Sequence, residues 1–216
     1  NPITTGDQTV YLYTTSDGPA AEFRDTSGGE GANSVQISDG SSTEDFWYYD
    51  EKAGGWTITV SDQNPLEDPD AGITNAQDFI AVLPADTHHF TLTSLSDIVA
   101  GNEAIYSVSR YDQFNNLVTA SAETVYLYTT SSGLNAEFRE TSEGTEVTSL
   151  EIADGQGTKQ FYYYDERAGN WTITVSDATP LDAPDSGILN AEDILGVLPD
   201  VTDHFLLNDV VFVIAG

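Results

Sequence analysis

The segment FWYYDEKAGGWTITVSD occupies residues 46–62 and returns almost unchanged as FYYYDERAGNWTITVSD at residues 161–177. After the Ala-Gly pair, each of the apolar residues Trp56, Ile58 and Val60 is followed by a Thr or Ser. Alternation with a period of two is typical of a β-strand with one buried face. The aromatic run before the Ala-Gly pair also suits a pleated, half-buried surface. Each copy therefore predicts two strands joined by a turn.

The similarity between the two copies extends along the whole chain. A shift of 115 residues aligns residues 1–101 with 116–216 without a gap, and 55 of the 101 pairs are identical. A period of this length has the size of a small domain and is too long for a solenoid repeat. Residues 102–115 occur once only. The sequence thus indicates a tandem array with incomplete ends.

Short strand-forming runs, separated by Asp-Gly and Gly-rich turns, predict an antiparallel β-sandwich in each period. The segments NAQDFIAVLP (75–84) and NAEDILGVLP (190–199) allow two interpretations, a short helix or a strand. We interpret both as strands that end at proline, because a helix of about seven or eight residues would be marginally stable.

The composition excludes several classes of partner. The 216 residues contain 6 Lys and Arg against 36 Asp and Glu, a formal net charge of −30. Nucleic acid and anionic membrane surfaces are not expected partners, because both require clustered positive charge. No apolar stretch reaches the roughly 20 residues of a spanning helix, so membrane insertion is not expected. The chain begins at Asn1 without a signal peptide, and we expect a processed product.

The chain contains no Cys. Disulfides, thiol nucleophiles and thiolate metal sites are therefore excluded together. An extracellular protein of this composition must be stabilised by its core, by repetition or by ions.

Two stretches carry a resemblance to a known family: VAGNEAIYSVSRYDQFNNLVTASAETVYLYTTSSG (99–133) and SLEIADGQGTKQFYYYDERAGNWTITVSD (149–177). They resemble the immunoglobulin-like repeats of bacterial and archaeal cell-surface proteins, which occur in S-layer proteins, adhesins and surface filaments. One departure is Asn115, which stands where the turn usually has Gly and which can adopt a positive φ. The resemblance implies an all-β chain of two tandem immunoglobulin-like antiparallel sandwiches, located at the cell surface.

The resemblance also implies the domain boundaries. Residues 85–199 form a complete domain, and residues 1–84 form a domain that lacks its A and B strands. Residues 200–216 are a strand that belongs, or is donated, to a following domain. In the complete domain the strands are expected at 88–100 (A), 103–112 (B), 124–130, 136–139, 147–152, 158–165, 170–176 and 190–198.

The sequence contains no catalytic motif, and we expect no enzyme activity. It has no Gly-x-Ser-x-Gly, no phosphate-binding loop and no His-Glu-x-x-His. The carboxylate pairs Asp50/Glu51 and Asp165/Glu166 invite comparison with a glycosidase. Each pair precedes a Lys/Arg-Ala-Gly turn, however, and both copies carry it. We therefore interpret these residues as part of a turn.

The three histidines lie where one domain is expected to meet the next. His89 and His204 are equivalent in the two copies, and each precedes a Phe. We interpret them as packing residues; the alternative is a zinc site that uses His88 and His89.

The acidic loops DQNPLEDPDAG (62–72) and DATPLDAPDSG (177–187) are the strongest candidates for ion binding. Aspartates at short spacing supply the hard oxygen ligands that Ca²⁺ requires, and Ca²⁺ is the only cofactor expected. Pro69 and Pro184 interrupt the spacing of an EF-hand. The alternatives are a solvated acidic loop and adaptation to high salt, which screens self-repulsion. The expected calcium ligands are Asp62, Asp68, Asp70, Asp112, Asp177, Asp182 and Asp185.

The aromatic runs at 46–49 and 161–164 place aromatic side chains on both faces of one strand. Alternate members must fill the core, so Tyr48 and Tyr163 or their neighbours face outward. An outward aromatic face predicts packing against an adjacent strand or domain, or else a carbohydrate or protein contact.

Asn170-Trp171-Thr172 matches an N-glycosylation sequon, and Asn170 is the candidate acceptor. Gly55 replaces this Asn in the other copy.

The incomplete ends suggest how copies associate. A sandwich that lacks two strands exposes an unpaired edge, and the chain carries an apolar strand candidate at its other end. Strand addition between copies would satisfy both and would build an open head-to-tail filament. The alternative is that adjacent repeats of one longer polypeptide supply the missing strands. The residues expected to drive assembly are Phe205, Leu207, Val211 and Val213.

From these features we expect an extracellular structural protein, a subunit or segment of a surface filament, sheath or stalk. Its expected partners are copies of itself or adjacent repeats. The alternative function is an adhesin segment or a carbohydrate-binding accessory module, for which carbohydrate is the partner.

Overall fold

The computed structural model describes residues 6–67, 70, 72–94 and 96–201. The chain divides into two compact units. Unit 1 comprises Asn1–Asp86 and Asp112–Val118, and unit 2 comprises Thr87–Tyr111 and Thr119–Gly216. The boundaries 1–84, 85–199 and 200–216 differ from this division chiefly at 112–118, a segment between two strands of unit 2. They stay a prediction.

Unit 1 contains seven strands among the described residues, and they form two antiparallel sheets. These strands are β1 (Gln8–Thr14), β2 (Glu22–Arg24), β3 (Gly31–Ala32), β4 (Ser34–Ile37), β5 (Trp47–Tyr49), β6 (Gly54–Ser61) and β7 (Ala76–Val82). One sheet has the order β4-β1-β6-β7, and the other has the order β3-β2-β5.

Unit 2 repeats this arrangement and adds three strands before it. Its strands are β8 (His89–Ser94), β9 (Ile98–Val99), β10 (Glu103–Tyr111), β11 (Glu123–Thr129), β12 (Glu137–Arg139), β13 (Glu146–Val147), β14 (Ser149–Ile152), β15 (Thr158–Tyr164), β16 (Gly169–Ser176) and β17 (Ala191–Leu198). They form two five-stranded sheets, β13-β12-β15-β10-β8 and β14-β11-β16-β17-β9. The prediction of an all-β chain of antiparallel sandwiches is confirmed.

The core of unit 2 lies between its two sheets. Alternate residues of each strand point inward, as in β10, where Ala104, Tyr106 and Val108 are buried. On β15, Phe161 and Tyr163 are both fully buried, so their neighbours Tyr162 and Tyr164 carry the outward aromatic face. The core is contributed by all the longer strands, because each places one side of its period-two pattern against the opposite sheet.

The segments that allowed two interpretations, 75–84 and 190–199, contain the strands β7 and β17. Each pairs with the strand that precedes it, β7 with β6 and β17 with β16. The interpretation as strands is confirmed, and the Ala-Gly turn is the place where β5 and β15 lead into β6 and β16.

The single strand expected over 88–100 is wrong in one respect. The structure has two strands there in different sheets: β8 is antiparallel to β10, and β9 is parallel to β17. Between them, the Asp97 carboxylate accepts a hydrogen bond from the Gly196 N–H at 3.0 Å. This contact holds the chain against the second sheet, so one continuous strand cannot form.

Candidate assembly site

The three strands that unit 2 has in addition extend both of its sheets and cover its core. β10 pairs with β15 from Glu103 to Ser109, and β8 pairs with the other side of β10. Together they bury Phe90, Tyr106 and Val108, which belong to the core cluster of unit 2. In the opposite sheet β9 extends the edge of β17, and Ala100 N–H donates to the Leu198 carbonyl at 2.8 Å.

Unit 1 has no counterpart of β8, β9 or β10 among its described residues. Its β5 spans three residues where the equivalent β15 spans seven. The edge of β5 that corresponds to the β10 side of β15 and the outer edge of β7 have no partner strand among the described residues. Among the described residues, the side of unit 1 next to β5 and β7 is therefore uncovered, whereas β8, β9 and β10 cover the equivalent side of unit 2.

The side chains behind this opening are more exposed than their equivalents. Ile80 is 36% exposed, whereas its equivalent Leu195 is 1% exposed. The same contrast holds elsewhere: among the described residues, the core cluster of unit 1 has three buried members, Leu12, Phe23 and Ile58, whereas that of unit 2 is several times larger. We call the following residues of unit 1 the open face, because each is less buried than its equivalent in unit 2: Phe46, Tyr48, Ala76, Ile80 and Val82.

In unit 2, polar groups also link the additional strands to β17. Asp193 on β17 accepts hydrogen bonds from Ser94 Oγ at 2.8 Å and Tyr106 Oη at 3.1 Å. Burial, followed by the Asp193 carboxylate, raises the pKa of Tyr106. The equivalent residue in unit 1, Asp78, is exposed.

The paired carboxylates that precede each Ala-Gly turn have a structural role. Tyr163 Oη donates to Asp165 Oδ2 at 2.7 Å, and Tyr48 Oη donates to Asp50 Oδ2 at 2.6 Å. Burial acts to raise the pKa of Asp50, but hydrogen bonds from Ser16, Tyr48 and the Lys52 amide lower it overall. These carboxylates tie the end of the aromatic strand to the turn.

A second turn in unit 1 is organised by Asp112, which is fully buried. Its Oδ1 accepts from the backbone N–H groups of Phe114 and Asn116, and its Oδ2 accepts from Ala85 N–H and Asn116 Nδ2. Burial acts to raise the pKa of Asp112, and these hydrogen bonds lower it. Asn115 has a φ of 65°, as the resemblance implies. Four donors occupy the Asp112 carboxylate, so it serves as an anchor of this turn and is poorly suited to hold calcium.

The Asp112 turn makes a contact that sequence reasoning missed. Asn116 Nδ2 donates to the Glu51 carbonyl at 2.7 Å, and Ala53 N–H donates to Asn116 Oδ1 at 2.9 Å. The side-chain amide thus bridges two backbone groups of the turn after β5. The only trace of this contact in the sequence is that Asn occupies both equivalent positions of the repeat, Asn1 and Asn116.

The two acidic loops have the same internal hydrogen bonds. Asp62 Oδ2 accepts from Ile73 N–H and Asp177 Oδ2 from Ile188 N–H, both at 3.3 Å. In the same way Asp70 accepts from Asn75 N–H and Asp185 from Asn190 N–H. Five buried acceptor oxygens have no hydrogen-bond partner in the described structure: Asp62 Oδ1, Asn75 Oδ1, Asp177 Oδ1, Asp182 Oδ1 and Asn190 Oδ1.

The described residues of these loops do not form a set of three acidic or histidine ligands. Across the part of the chain that the structure describes, no three His, Asp or Glu side chains lie close enough together to hold a metal ion. Asp182 Oδ2 is engaged by the Ser186 N–H and hydroxyl, and the latter contact is the leading reason that the pKa of Asp182 is lowered. Asp68 lies outside the described residues. The calcium assignment stays a prediction.

The remaining candidate residues are the histidines, the sequon Asn170 and the assembly residues. His88 and His89 contact each other edge to face, and His89 stacks on Tyr111 at 5.7 Å, which accords with packing. Asn170 is exposed on β16. His204, Phe205, Leu207, Val211 and Val213 lie outside the described residues. No helix among the described residues has the length and apolar character needed to cross a membrane.

No family model matches the chain, and no curated protein sequence matches it. Several solved structures are similar in shape. A family 2 glycosyl hydrolase from Bacteroides cellulosilyticus is 9% identical with a TM-score of 0.40; the match covers 90% of this chain and 22% of that one. The chain therefore spans about a fifth of the length of that glycosidase.

Two further solved structures are also similar. The D0-D1 domain of intimin is 11% identical with a TM-score of 0.33, and the match covers 90% of this chain and 83% of that one. Domains 4 and 5 of the S-layer protein SbsC are 14% identical with a TM-score of 0.31, and the match covers 68% of this chain and 66% of that one. None of these similarities assigns an activity to the chain.

Proposed function

We propose that the chain is an extracellular structural protein, a subunit of a cell-surface filament, sheath or stalk that grows head to tail from immunoglobulin-like repeats. One observation carries the proposal: the open face of unit 1 consists of residues whose equivalents in unit 2 are sealed by β8, β9 and β10. Fully burying an exposed aliphatic side chain contributes about 1.5–3 kcal/mol, and each partly exposed apolar side chain of the open face, such as Ile80, would add a part of this amount. Strands added at this face would therefore be strongly stabilised.

The segment proposed to occupy part of this face is residues 202–216 of a second copy. These residues are equivalent to 87–101, which contain β8 and β9. Phe205 corresponds to the buried Phe90, and Leu207 and Val213 correspond to Leu92 and Ile98, which pack against the core of unit 2. A strand of the β10 type is needed in addition beside β5, since residues 202–216 do not correspond to it.

A pair of complementary differences favours unit 1 as the acceptor. A Cβ added at Gly196 would lie 2.7 Å from the Asp97 carboxylate. Unit 1 has Ala81 at the equivalent position, and segment 202–216 has Phe212 where β9 is preceded by Asp97. Segment 202–216 thus has no carboxylate at the position where Ala81 of unit 1 has an additional methyl group. The close approach that a Cβ at Gly196 would make to the Asp97 carboxylate would therefore not arise.

The assembly is tested by a matched pair of substitutions in the full chain. Phe205→Asp places a charge where Phe90 is buried, and we expect it to abolish the association seen by sedimentation velocity over a concentration series. Asn208→Asp is the control, because its equivalent Thr93 is exposed, and it should leave association unchanged. A wild-type chain that stays monomeric at every concentration, or Phe205→Asp particles of wild-type size, would count against the proposal.

The intact mass of the native protein separates two sources of the added strand. A native polypeptide near 23.3 kDa supports subunits that exchange strands. A covalent species several times heavier would show that adjacent repeats of one polypeptide supply the strands.

We infer no catalytic role. The inference is supported by the carboxylate pairs, since Asp50 and Asp165 accept hydrogen bonds from tyrosine hydroxyls and turn amides.

Carbohydrate binding is the second candidate function, and Trp47 favours it. This side chain is 42% exposed and lines a shallow pocket with Asp25, Thr43, Glu44 and Asp45. An exposed indole beside carboxylates offers a stacking surface and hydrogen-bond acceptors for a sugar. Binding of the wild-type chain on a glycan array, lost in Trp47→Ala, would support this candidate, and no binding would remove it.

A further inference from the structure

The turn that follows the aromatic strand has the same conformation in both units. Lys52 N–H donates to Asp50 Oδ1 at 2.9 Å, and Arg167 N–H donates to Asp165 Oδ1 at 2.7 Å. The indole N–H of the following Trp closes each turn onto the carbonyl of the same basic residue, at 3.1 Å in unit 1 and 2.9 Å in unit 2. The backbone groups of the two turns therefore point in equivalent directions.

In unit 1 this turn is covered. The Asn116 carboxamide accepts from Ala53 N–H and donates to the Glu51 carbonyl, and Glu51, Lys52 and Ala53 are half-buried. An Asn side chain suits this position because its carboxamide presents one acceptor and two donors in a fixed plane.

In unit 2 the same turn is uncovered. Glu166, Arg167 and Ala168 are all exposed, and no described group bonds to the Glu166 carbonyl or the Ala168 N–H. The Glu166 carboxylate does not obstruct the site, because Asn135 Nδ2 and Tyr164 Oη hold it at 2.7 and 2.8 Å. The carbonyl and N–H thus form an unoccupied copy of the recognition site that Asn116 fills in unit 1.

We propose that the Glu166–Ala168 turn binds the side-chain carboxamide of Asn1 from a second copy of the chain. The inference rests on the proposed head-to-tail assembly and adds a second contact to the same joint. Asn1 is the equivalent of Asn116 in the repeat, so continuing the repeat register from one copy into the next brings Asn1 to this turn. Asn116 itself cannot be the occupant, because in every copy it is already bonded within unit 1.

A neutral carboxamide is also the suitable chemistry for a joint between copies that each carry a net charge of −30. A carboxylate at the same position would lack the donor for the Glu166 carbonyl and would add repulsion. The hydrogen bonds specify the register of the joint, while burial at the open face supplies most of the association energy.

The test compares Ala168 with Ala53 by amide hydrogen exchange in the full-length chain. In dilute, monomeric protein the Ala53 amide should exchange slowly and the Ala168 amide rapidly. Under assembling conditions the Ala168 amide should become protected by at least about tenfold. Asn1→Asp should remove this protection and weaken association roughly tenfold, which is about 1.4 kcal/mol. Asn102→Asp, at an exposed position, is the control of equal charge and should change neither.

The outcomes separate this inference from the proposed function. Wild-type chains that never associate would overturn the head-to-tail proposal and this contact with it. Wild-type chains that associate while Ala168 stays unprotected, and with Asn1→Asp as tight as wild type, would overturn this contact alone.

Discussion

At the scale of single residues, buried polar groups tie the turns of this protein together. Asp112 and Asp165 are fully buried, and both accept hydrogen bonds from backbone amides of their own turns. The sequence predicts that these positions are turns, because each follows a strand pattern and precedes Gly or Asn. It does not predict that Asp112 is saturated by donors, since those donors include Ala85, which is distant in sequence.

We predict that Asp112→Asn lowers the free energy of unfolding by about 2 kcal/mol. The substitution replaces a carboxylate oxygen by an NH₂ group that faces N–H donors, and hydrogen bonds to a charged acceptor contribute about 1.5–3 kcal/mol each. Urea denaturation measures the change. Asp86→Asn, at an exposed position, is the control and should stay within about 0.5 kcal/mol of wild type.

The pH dependence of this effect has a definite sign. The pKa of Asp112 is lowered in the folded chain, so the unfolded state binds the proton more tightly, with a pKa of about 3.9. The stabilisation is fully present above that pH and is lost as the pH falls through the lower, folded-state pKa. The stability gap between wild type and Asp112→Asn should therefore narrow in acid. A gap that is constant from pH 6 to pH 2.5 would contradict this account.

Calcium binding is predicted at the two acidic loops, where buried oxygens without partners recur at equivalent positions of both copies. A ligand present at 100 times its Kd stabilises the folded state by about 2.7 kcal/mol. We therefore expect Ca²⁺ to raise the Tm and EDTA to lower it. Asp177→Asn should reduce the Ca²⁺-dependent shift, and Asp154→Asn should not. Identical melting curves in EDTA and in millimolar Ca²⁺ would discard the site.

At the scale of strands, the period-two pattern predicts most elements because each strand has one buried face. The uncertain segments 75–84 and 190–199 are strands for the same reason. The division of 88–100 into β8 and β9 could not be predicted, since it depends on a contact between Asp97 and Gly196, 99 residues apart. β5 is also shorter than β15, and the described part of unit 1 has no strand of the β10 type beside it. The aligned runs FWYY and FYYY do not reveal this difference.

We predict that Gly196→Ala detaches β9 from β17. The added Cβ would meet the Asp97 carboxylate at 2.7 Å, and overpacking of this kind costs about 1–3 kcal/mol. Hydrogen exchange of the Ala100 amide, which bonds to the Leu198 carbonyl, should become faster. The reverse change in unit 1, Ala81→Gly, is the matched control, because Ala81 is exposed. Unchanged protection of Ala100 in Gly196→Ala would refute the contact.

At the scale of the whole molecule, the two units represent one repeat with different numbers of strands. Unit 2 shows how the sandwich is sealed, and the described residues of unit 1 show the same sandwich without counterparts of β8, β9 and β10. The sequence predicts this difference in outline, because the repeat aligns without a gap while residues 102–115 occur once. Which side chains of the open face are more exposed than their equivalents, such as Phe46 and Ile80, becomes clear only when burial is compared at equivalent positions of the two units.

Assembly of such chains must overcome their charge. Each copy carries a formal charge of −30, so we expect association to strengthen as NaCl rises from 0.1 M to 1 M, where the screening length falls from about 10 Å to about 3 Å. One local contribution is identifiable. Ser94 donates to Asp193 in unit 2, whereas the proposed joint places Asp209, the equivalent of Ser94, opposite Asp78, the equivalent of Asp193.

We therefore predict that Asp209→Ser tightens association roughly tenfold at 0.1 M NaCl, because a hydroxyl donor replaces a like charge. The gain should shrink at 1 M NaCl, where the repulsion it removes is already screened. Glu30→Gln, an exposed residue outside the joint, removes the same unit of charge and should have a much smaller effect. Sedimentation equilibrium of wild type and both variants at the two salt concentrations gives the six association constants. Equal effects of Asp209→Ser and Glu30→Gln would show that only net charge matters and that residues 202–216 do not lie beside β7.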